Sequence, residues 1–306
     1  MDDNARALVA GTMFYKFKKE FKQLVLIRTY LNFMKYVMSD DGKLYNYVDR
    51  EKKIDFNSWS EDAHGRAIWA LGYLSSAEFI PVDLRKEAET LLLKSLDNIE
   101  NMSHLRSIAF TISGLYFYNQ KLGSQSIVAK IRKLADKILD SYNRNSQKNW
   151  KWFEEELTYA NSKIPEALLY AHITTQDDKF LDVAIDYLGF LTKNTFLNSV
   201  MVPIGEKGWY RKGGKRAMFD QQPIDVAYTV QTLILVYKIT NQEKFKNMAF
   251  NAFQWFLGKN TLGQVVYNET TGGCHDGIGN NAINLNQGAE STVSYLLATL
   301  SLVEVV

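Results

Sequence analysis

The sequence predicts an all-α protein, a nearly closed toroid of helical hairpins in which residues 1–306 form a single domain. Three observations predict it. Apolar residues recur with helical period: Val226, Val230, Leu233, Ile234 and Tyr237 fall at i, i+4, i+7, i+8 and i+11. The same stripe returns as Phe180, Ala184, Tyr187, Leu188 and Leu191, and as Phe245, Ala249, Ala252, Phe253 and Phe256. Second, TQDDKFLDVA (175–184) repeats as TNQEKFKNMA (240–249), each copy being the turn between two helices and the opening of the second. Third, there are only four prolines, Pro81, Pro165, Pro203 and Pro223, and each sits at a helix start or in a loop.

The offset between the two copies is longer than a tetratricopeptide unit of ~34 residues and suits a helix pair plus a substantial loop. Extending that unit along the chain places first helices near Asn4, Asp62, His104, Ile164, Pro223 and Gln287. Second helices follow near Glu20, Val82, Ser124, Asp177 and Asn241. A twelfth helix is absent or lies outside this chain. The first helices mix Ala, Gly and Ser with larger apolar residues, as an inner ring with neighbours on both sides requires; an open solenoid is the alternative. Lys43–Val48 and Gly263–Tyr267 read as short hairpins within loops. Ser58-x-x-Glu61 reads as a capping box, which gives Glu61 a structural role.

A formal net charge of +2 offers no basic surplus for nucleic acid or a membrane surface. One cysteine, Cys274, excludes an internal disulfide and fits a reducing compartment. No basic-then-apolar leader follows Met1, and no apolar run approaches the ~20 residues of a membrane span. A soluble, cytoplasmic protein is expected. His64, His104, His172 and His275 have no metal-ligand spacing, and no glycine-rich phosphate loop follows a strand, so no metal or other cofactor is expected. Arg211–Arg216 (RKGGKR) reads as a solvated turn or as a holder of phosphate or an anionic sugar.

Chemistry-bearing residues gather just before the first helices. The loop Gly272–Glu290 is long and polar, holds five glycines, and runs into an apolar helix, a pattern that marks a functional loop. Four of the six tryptophans, Trp59, Trp150, Trp152 and Trp209, occupy such loops, where an indole face suits the C–H face of a sugar. The competing reading is that these rings plug the end of the ring of helices. Acids share the location: Asp2, Asp3, Glu61, Asp62, Glu154, Glu155, Glu156, Asp220, Asp225, Asp276 and Glu290. Paired carboxylates serve glycoside hydrolysis as acid and base, although helix N-termini attract acids for capping alone.

In DDNARAL (2–8), EDAHGRAIWALG (61–72), WKWFEEELTYANSKIPEALL (150–169), FDQQPIDVA (219–227), and TGGCHDG with NQGAES (271–291), the chain resembles the six-hairpin (α/α)6 glycosidase-like superfamily. More narrowly, it is similar to the helical domain associated with bacterial glycosyltransferases. The resemblance implies a carbohydrate substrate, a glycosyltransferase partner, and site residues Asp3, Asp62, Arg66, Glu154, Asp220, Gln222, Asp276, Gln287 and Glu290. The resulting expectation is a glycoside hydrolase acting on an oligosaccharide or bacterial polysaccharide. Glu154 is its acid and Asp62 or Asp220 its base; Trp59, Trp152 and Trp209 are sugar platforms. Two alternatives stand beside it: a sugar epimerase using His64, His104 or His275, and a non-catalytic glycan-binding or scaffold domain partnering a glycosyltransferase.

Overall fold

A computed structural model describes residues 1–306. Eleven α-helices alternate along the chain as first and second members of hairpins. The first members are α1 (Asp2–Phe17), α3 (Glu61–Ser76), α5 (Leu105–Leu122), α7 (Lys163–Thr175), α9 (Pro223–Thr240) and α11 (Ala289–Val303). The second members are α2 (Phe21–Tyr36), α4 (Val82–Ser95), α6 (Gln125–Asn145), α8 (Asp178–Thr195) and α10 (Glu243–Phe253). Each start lies within two residues of its sequence expectation. Six two-residue strands form three antiparallel pairs in the loops: β1 (Glu156–Leu157) with β4 (Tyr210–Arg211), β2 (Phe196–Leu197) with β3 (Val200–Met201), and β5 (Gly277–Ile278) with β6 (Ile283–Asn284). The expected hairpins at 43–48 and 263–267 are present only as isolated bridges, Met38 with Leu44 and Leu257 with Val265 among them. No helix is long and apolar enough to cross a membrane.

The chain groups into two compact units, Met1–Asp136 with Tyr170–Gln176, and Lys137–Leu169 with Asp177–Val306. In the first, α3 and α5 approach until their backbones touch. A methyl on Gly72 would overlap the Gly114 carbonyl, and one on Gly114 would overlap the Ile68 carbonyl. Glycine is disfavoured in a helix interior by ~1 kcal/mol, so its presence here reflects the packing it allows. In the second unit α9 is buried almost all round, with Val226, Val230, Leu233 and Ile234 each under 4% exposed. Against this core, α8 buries Phe180, Ala184, Tyr187, Leu188 and Leu191, the stripe the periodicity marks. Each of the larger side chains contributes ~1.5–3 kcal/mol.

The repeated decapeptide is a repeated turn. Gln176 (φ 54°) and Asn241 (φ 53°) both end a helix in the left-handed conformation. Their N–H groups return to His172 O and Tyr237 O, each at 2.8 Å. Thr175 and Thr240, just before them, each donate their hydroxyl to the carbonyl four residues back. One expectation is corrected. The N-cap of α3 is Ser60, whose side chain accepts from Ala63 N–H at 3.2 Å, while Ser58 instead serves the preceding loop by accepting from the Asn46 and Tyr47 N–H groups.

If the glycine contact sets the α3–α5 distance, Gly72→Ala lowers stability by about 1–3 kcal/mol in urea unfolding, even though alanine is the better helix former.

Candidate functional site

In the second unit, the chain entering α9 and the chain entering α11 are fastened at Gln221. Gln221 and Ile278 exchange both backbone hydrogen bonds, at 2.9 and 3.0 Å. The Gln221 side chain is fully buried and fully used. Its Oε1 accepts the Trp255 indole N–H at 2.9 Å, and its Nε2 donates to Met218 O at 2.8 Å and Thr261 Oγ1 at 3.1 Å. Gly277 (φ 144°) passes so close to the Gln221 carbonyl that a Cβ there would collide with it.

Six expected site residues lie in the two loops this clasp joins or in the first turn of the helix that follows: Trp209, Asp220, Gln222, Asp276, Gln287 and Glu290. Trp209 (φ 48°) and Asp220 (φ 59°) both adopt left-handed backbone, which costs a non-glycine residue about 1–3 kcal/mol and concentrates at functional sites. The Asp220 carboxylate lies 3.5 Å from Lys207 Nζ. Gln222 Nε2 donates to Glu206 at 2.7 Å. Asp276 Oδ1 accepts the N–H of Gly288, the N-cap of α11, at 2.8 Å. Gln287 is exposed and accepts from the Thr271 hydroxyl at 2.7 Å. Glu290 is half-exposed in the first turn of α11. His275 places Nδ1 3.0 Å from Leu285 O. A carbonyl only accepts, so Nδ1 carries the proton and Nε2 is the basic nitrogen of the neutral ring. Cys274, next to it, is inert: burial first, and the Asp276 charge second, push its thiol up to about 12.

Glu154 approaches these loops through the strand pair. It is half-exposed, its carbonyl accepts the Trp150 indole N–H at 2.8 Å, and β1 just after it pairs with β4 beside Trp209. The same turn corrects the role of Trp152. Its ring is fully buried against Phe153 and Tyr187, and its N–H is spent on Glu156 O at 2.7 Å, so no face is open to a sugar. Trp150 is buried likewise.

In the first unit the acids are committed to buried cations. Arg66 is 1% exposed and lies over the Phe110 ring, and its guanidinium bridges Asp62 and Asp2, the latter at 3.3 Å. Arg6 is 2% exposed and pairs with Asp3 at 2.5 Å. Arg66 is therefore a structural cation of the helix packing, which corrects its expected role as a sugar ligand. Asp62, Asp2 and Asp3 supply the counter-charge that burying a guanidinium demands. Glu61 is structural by a different route from the one expected: its carboxylate caps α5, accepting the N–H groups of Ser103 and His104 at 2.8 and 2.9 Å. Trp59 is half-exposed, with its ring centroid 6.3 Å from that of His64. His64 is fully buried; its Nδ1 accepts the Leu44 N–H at 3.4 Å and its Nε2 donates to Ser95 O at 3.1 Å. With both nitrogens engaged it cannot serve as an acid or base for a sugar. His104, by contrast, is exposed where α5 begins.

Sequence reasoning missed Gln221 and the buried pair of Lys163 and Glu166, 2.6 Å apart in the first turn of α7. Lys163 is fully buried, with its ammonium 5.1 Å from the centre of the Tyr228 ring. Lys-x-x-Glu at a helix start reads as an ordinary solvent-facing pair. The only available signal was its position among small polar residues, where Ser162 bonds Thr229 of α9 at 2.9 Å.

No family profile and no characterised protein matches the chain in sequence. Solved structures do match in three dimensions. Cellobiose 2-epimerase from Bacillus thermoamylovorans B4167 superposes with a TM-score of 0.72 at 14% identity, over 97% of this chain and 86% of that one. A D-mannose isomerase gives 0.73 at 10% identity, over 99% and 87%. An α-mannanase from Bacteroides thetaiotaomicron gives 0.67 at 14% identity, over 99% and 86%. These neighbours are carbohydrate-active enzymes of (α/α)6 type, and the fold of this chain is the (α/α)6 toroid of helical hairpins that the sequence predicts.

Two outcomes test the site as described. Burial pushes the His64 pKa below the ordinary value of ~6.5, so the unfolded chain binds a proton that the folded one refuses. Its contribution is therefore complete above pH ~6.5 and is lost as the pH falls below that, with a slope of at most ~1.4 kcal/mol per pH unit. Urea unfolding between pH 7.5 and 5.5 shows this slope, and His64→Asn flattens it while lowering stability throughout. Gln221→Ala leaves the Trp255 N–H buried without a partner and costs about 1–3 kcal/mol, read in the same assay.

Proposed function

We propose that the protein is a carbohydrate-active enzyme that hydrolyses a glycosidic bond in an oligosaccharide or bacterial polysaccharide, with Glu154 as acid and Asp220 as base. The observation that carries this reading is Asp220 itself. It is a carboxylate on strained left-handed backbone, in a loop locked by the buried Gln221 and shared with the equally strained Trp209. Glu154, Trp209 and Asp220 belong to one unit, and β1 and β4 link the Glu154 segment to the Trp209 segment. Asp62 is set aside as base because its carboxylate is the counter-ion of buried Arg66. In this reading Trp209 is the sugar platform, with Gln222, Asp276, Gln287 and Glu290 as hydroxyl partners. Protonation of the leaving oxygen by one carboxyl and activation of water by the other account for cleavage.

Sugar epimerisation is the second reading, favoured by the half-exposed His275 with its basic Nε2 directed away from Leu285, and supported by the fold's likeness to a cellobiose epimerase and a mannose isomerase. Here a histidine would abstract a proton beside the sugar carbonyl. Incubation with a panel of oligosaccharides, followed by proton NMR, separates the two: new reducing ends mark hydrolysis, and epimer signals without chain cleavage mark epimerisation. Under the hydrolytic reading, Asp220→Asn and Glu154→Gln each lower kcat by about 10²–10⁴-fold with unchanged melting temperature, and His275→Asn retains cleavage. Loss of turnover in His275→Asn alone, with Asp220→Asn active, overturns it.

A further inference from the structure

Beside the candidate site, and bordered by Tyr210 of β4, the second unit carries a groove of ≈ 610 Å³ on the flank of α8 whose lining is basic. Lys148, Lys151 and Lys193 face it, with Asp186 as its one carboxylate. That carboxylate is already committed, lying 3.1 Å from Lys151 and accepting the Tyr142 hydroxyl at 2.6 Å. Lys148 and Lys193 make no ion pair. Two ammonium groups lining one groove, neither with a counter-charge of its own, give it a positive potential that favours an anion.

The groove is built on rigid parts. Lys148 and Asn149 ride the tip of a tight turn closed by reciprocal backbone bonds between Gln147 and Trp150. Trp150 buttresses the lining from beneath, edge-on to Phe190 at 5.5 Å and to Tyr210 at 5.1 Å. Asn194 is held in place because Arg216 donates to its carbonyl and also to Val202 O, the latter at 2.9 Å. The RKGGKR loop is itself largely spent on structure: Arg211 lies 3.8 Å from Glu156, and Lys212 bonds Asn145 O and Glu155.

The floor contains Gly189, in the interior of α8. Unlike the glycines of α3 and α5, it is not required by packing, since a Cβ there would meet nothing within 4 Å. A glycine in an exposed helix interior is less stable there than alanine. Its recurrent use is to let a ligand approach the backbone.

We propose that this groove is a second binding site, for a segment of an anionic, carboxylate-bearing glycan. Lys148 and Lys193 pair with successive uronate carboxylates, Asn149 and Asn194 bond hydroxyls, and a sugar ring lies on the bare floor at Gly189 beside Tyr210. The volume falls within the ~300–1,000 Å³ of small-molecule sites, so it takes a short stretch of chain. The choice of a glycan, though not of an anion, rests on the carbohydrate reading above. A nucleic acid fits less well, because a chain of net charge +2 lacks the broad positive field that phosphate backbones need.

Titration of the intact protein with trigalacturonate, cellotriose and a hexathymidylate oligonucleotide tests this. Trigalacturonate binds, more weakly as salt rises; cellotriose and the oligonucleotide do not bind at the groove. Lys148→Glu with Lys193→Glu reduces trigalacturonate affinity at least tenfold. Gly189→Leu does the same while its melting temperature is unchanged or higher, which a merely structural glycine would not allow. Asp220→Asn leaves this binding intact, so groove binding without turnover of any sugar would discard the catalytic reading alone. The proposal is overturned if trigalacturonate fails to bind, if the groove variants bind it normally, or if the oligonucleotide binds the groove as tightly.

Discussion

The candidate site depends on the burial of one amide side chain. Gln221 offers an acceptor and a donor on one planar group, and the surroundings take both, so the loop before α9 and the loop before α11 are tied to each other and to the Trp255 indole. A buried carboxamide left half-satisfied would cost more than an apolar residue in its place. Because it is fully satisfied, it specifies one arrangement. That arrangement can then hold Asp220 and Trp209 in backbone conformations that neither would choose alone.

Acids at helix N-termini have two fates here, and buried cations decide between them. Asp2 and Asp62 meet Arg66, and Asp3 meets Arg6; each guanidinium is nearly inaccessible to water and draws its neighbouring carboxylates into charge compensation. Asp220 faces only Lys207, whose side chain is 83% exposed and hydrated, and an exposed pair of this kind is worth little. A carboxylate bound so loosely stays available to a substrate. The same distinction separates the glycines: those of α3 and α5 are consumed by helix contact, while Gly189 is not.

The helical framework was legible because its information is local. The stripe of α8 and the paired turns at Gln176 and Asn241 depend on periodicity and on a few residues around each helix end, and both are written within ten or so positions. The site was legible in its ingredients and less so in their direction. Trp150 and Trp152 look like exposed platforms in sequence, yet each indole finds a carbonyl four residues ahead and turns inward. Arg66, four residues after Asp62, reads as an ordinary helix-face pair; the close approach of α3 to α5 at Gly65 and Gly72 is what encloses it. Gln221 carries no signal beyond its neighbour Gln222, because its importance lies in partners 34 to 57 positions away.

The proposed function requires a sugar to bind at the loops clasped by Gln221. Amide hydrogen exchange of the intact protein, with and without a panel of neutral and anionic oligosaccharides, tests it directly. Added protection is expected in residues 205–222 and 272–290 with at least one sugar. Protection confined to the segments before α1 and α3, or none with any sugar bound, would contradict it.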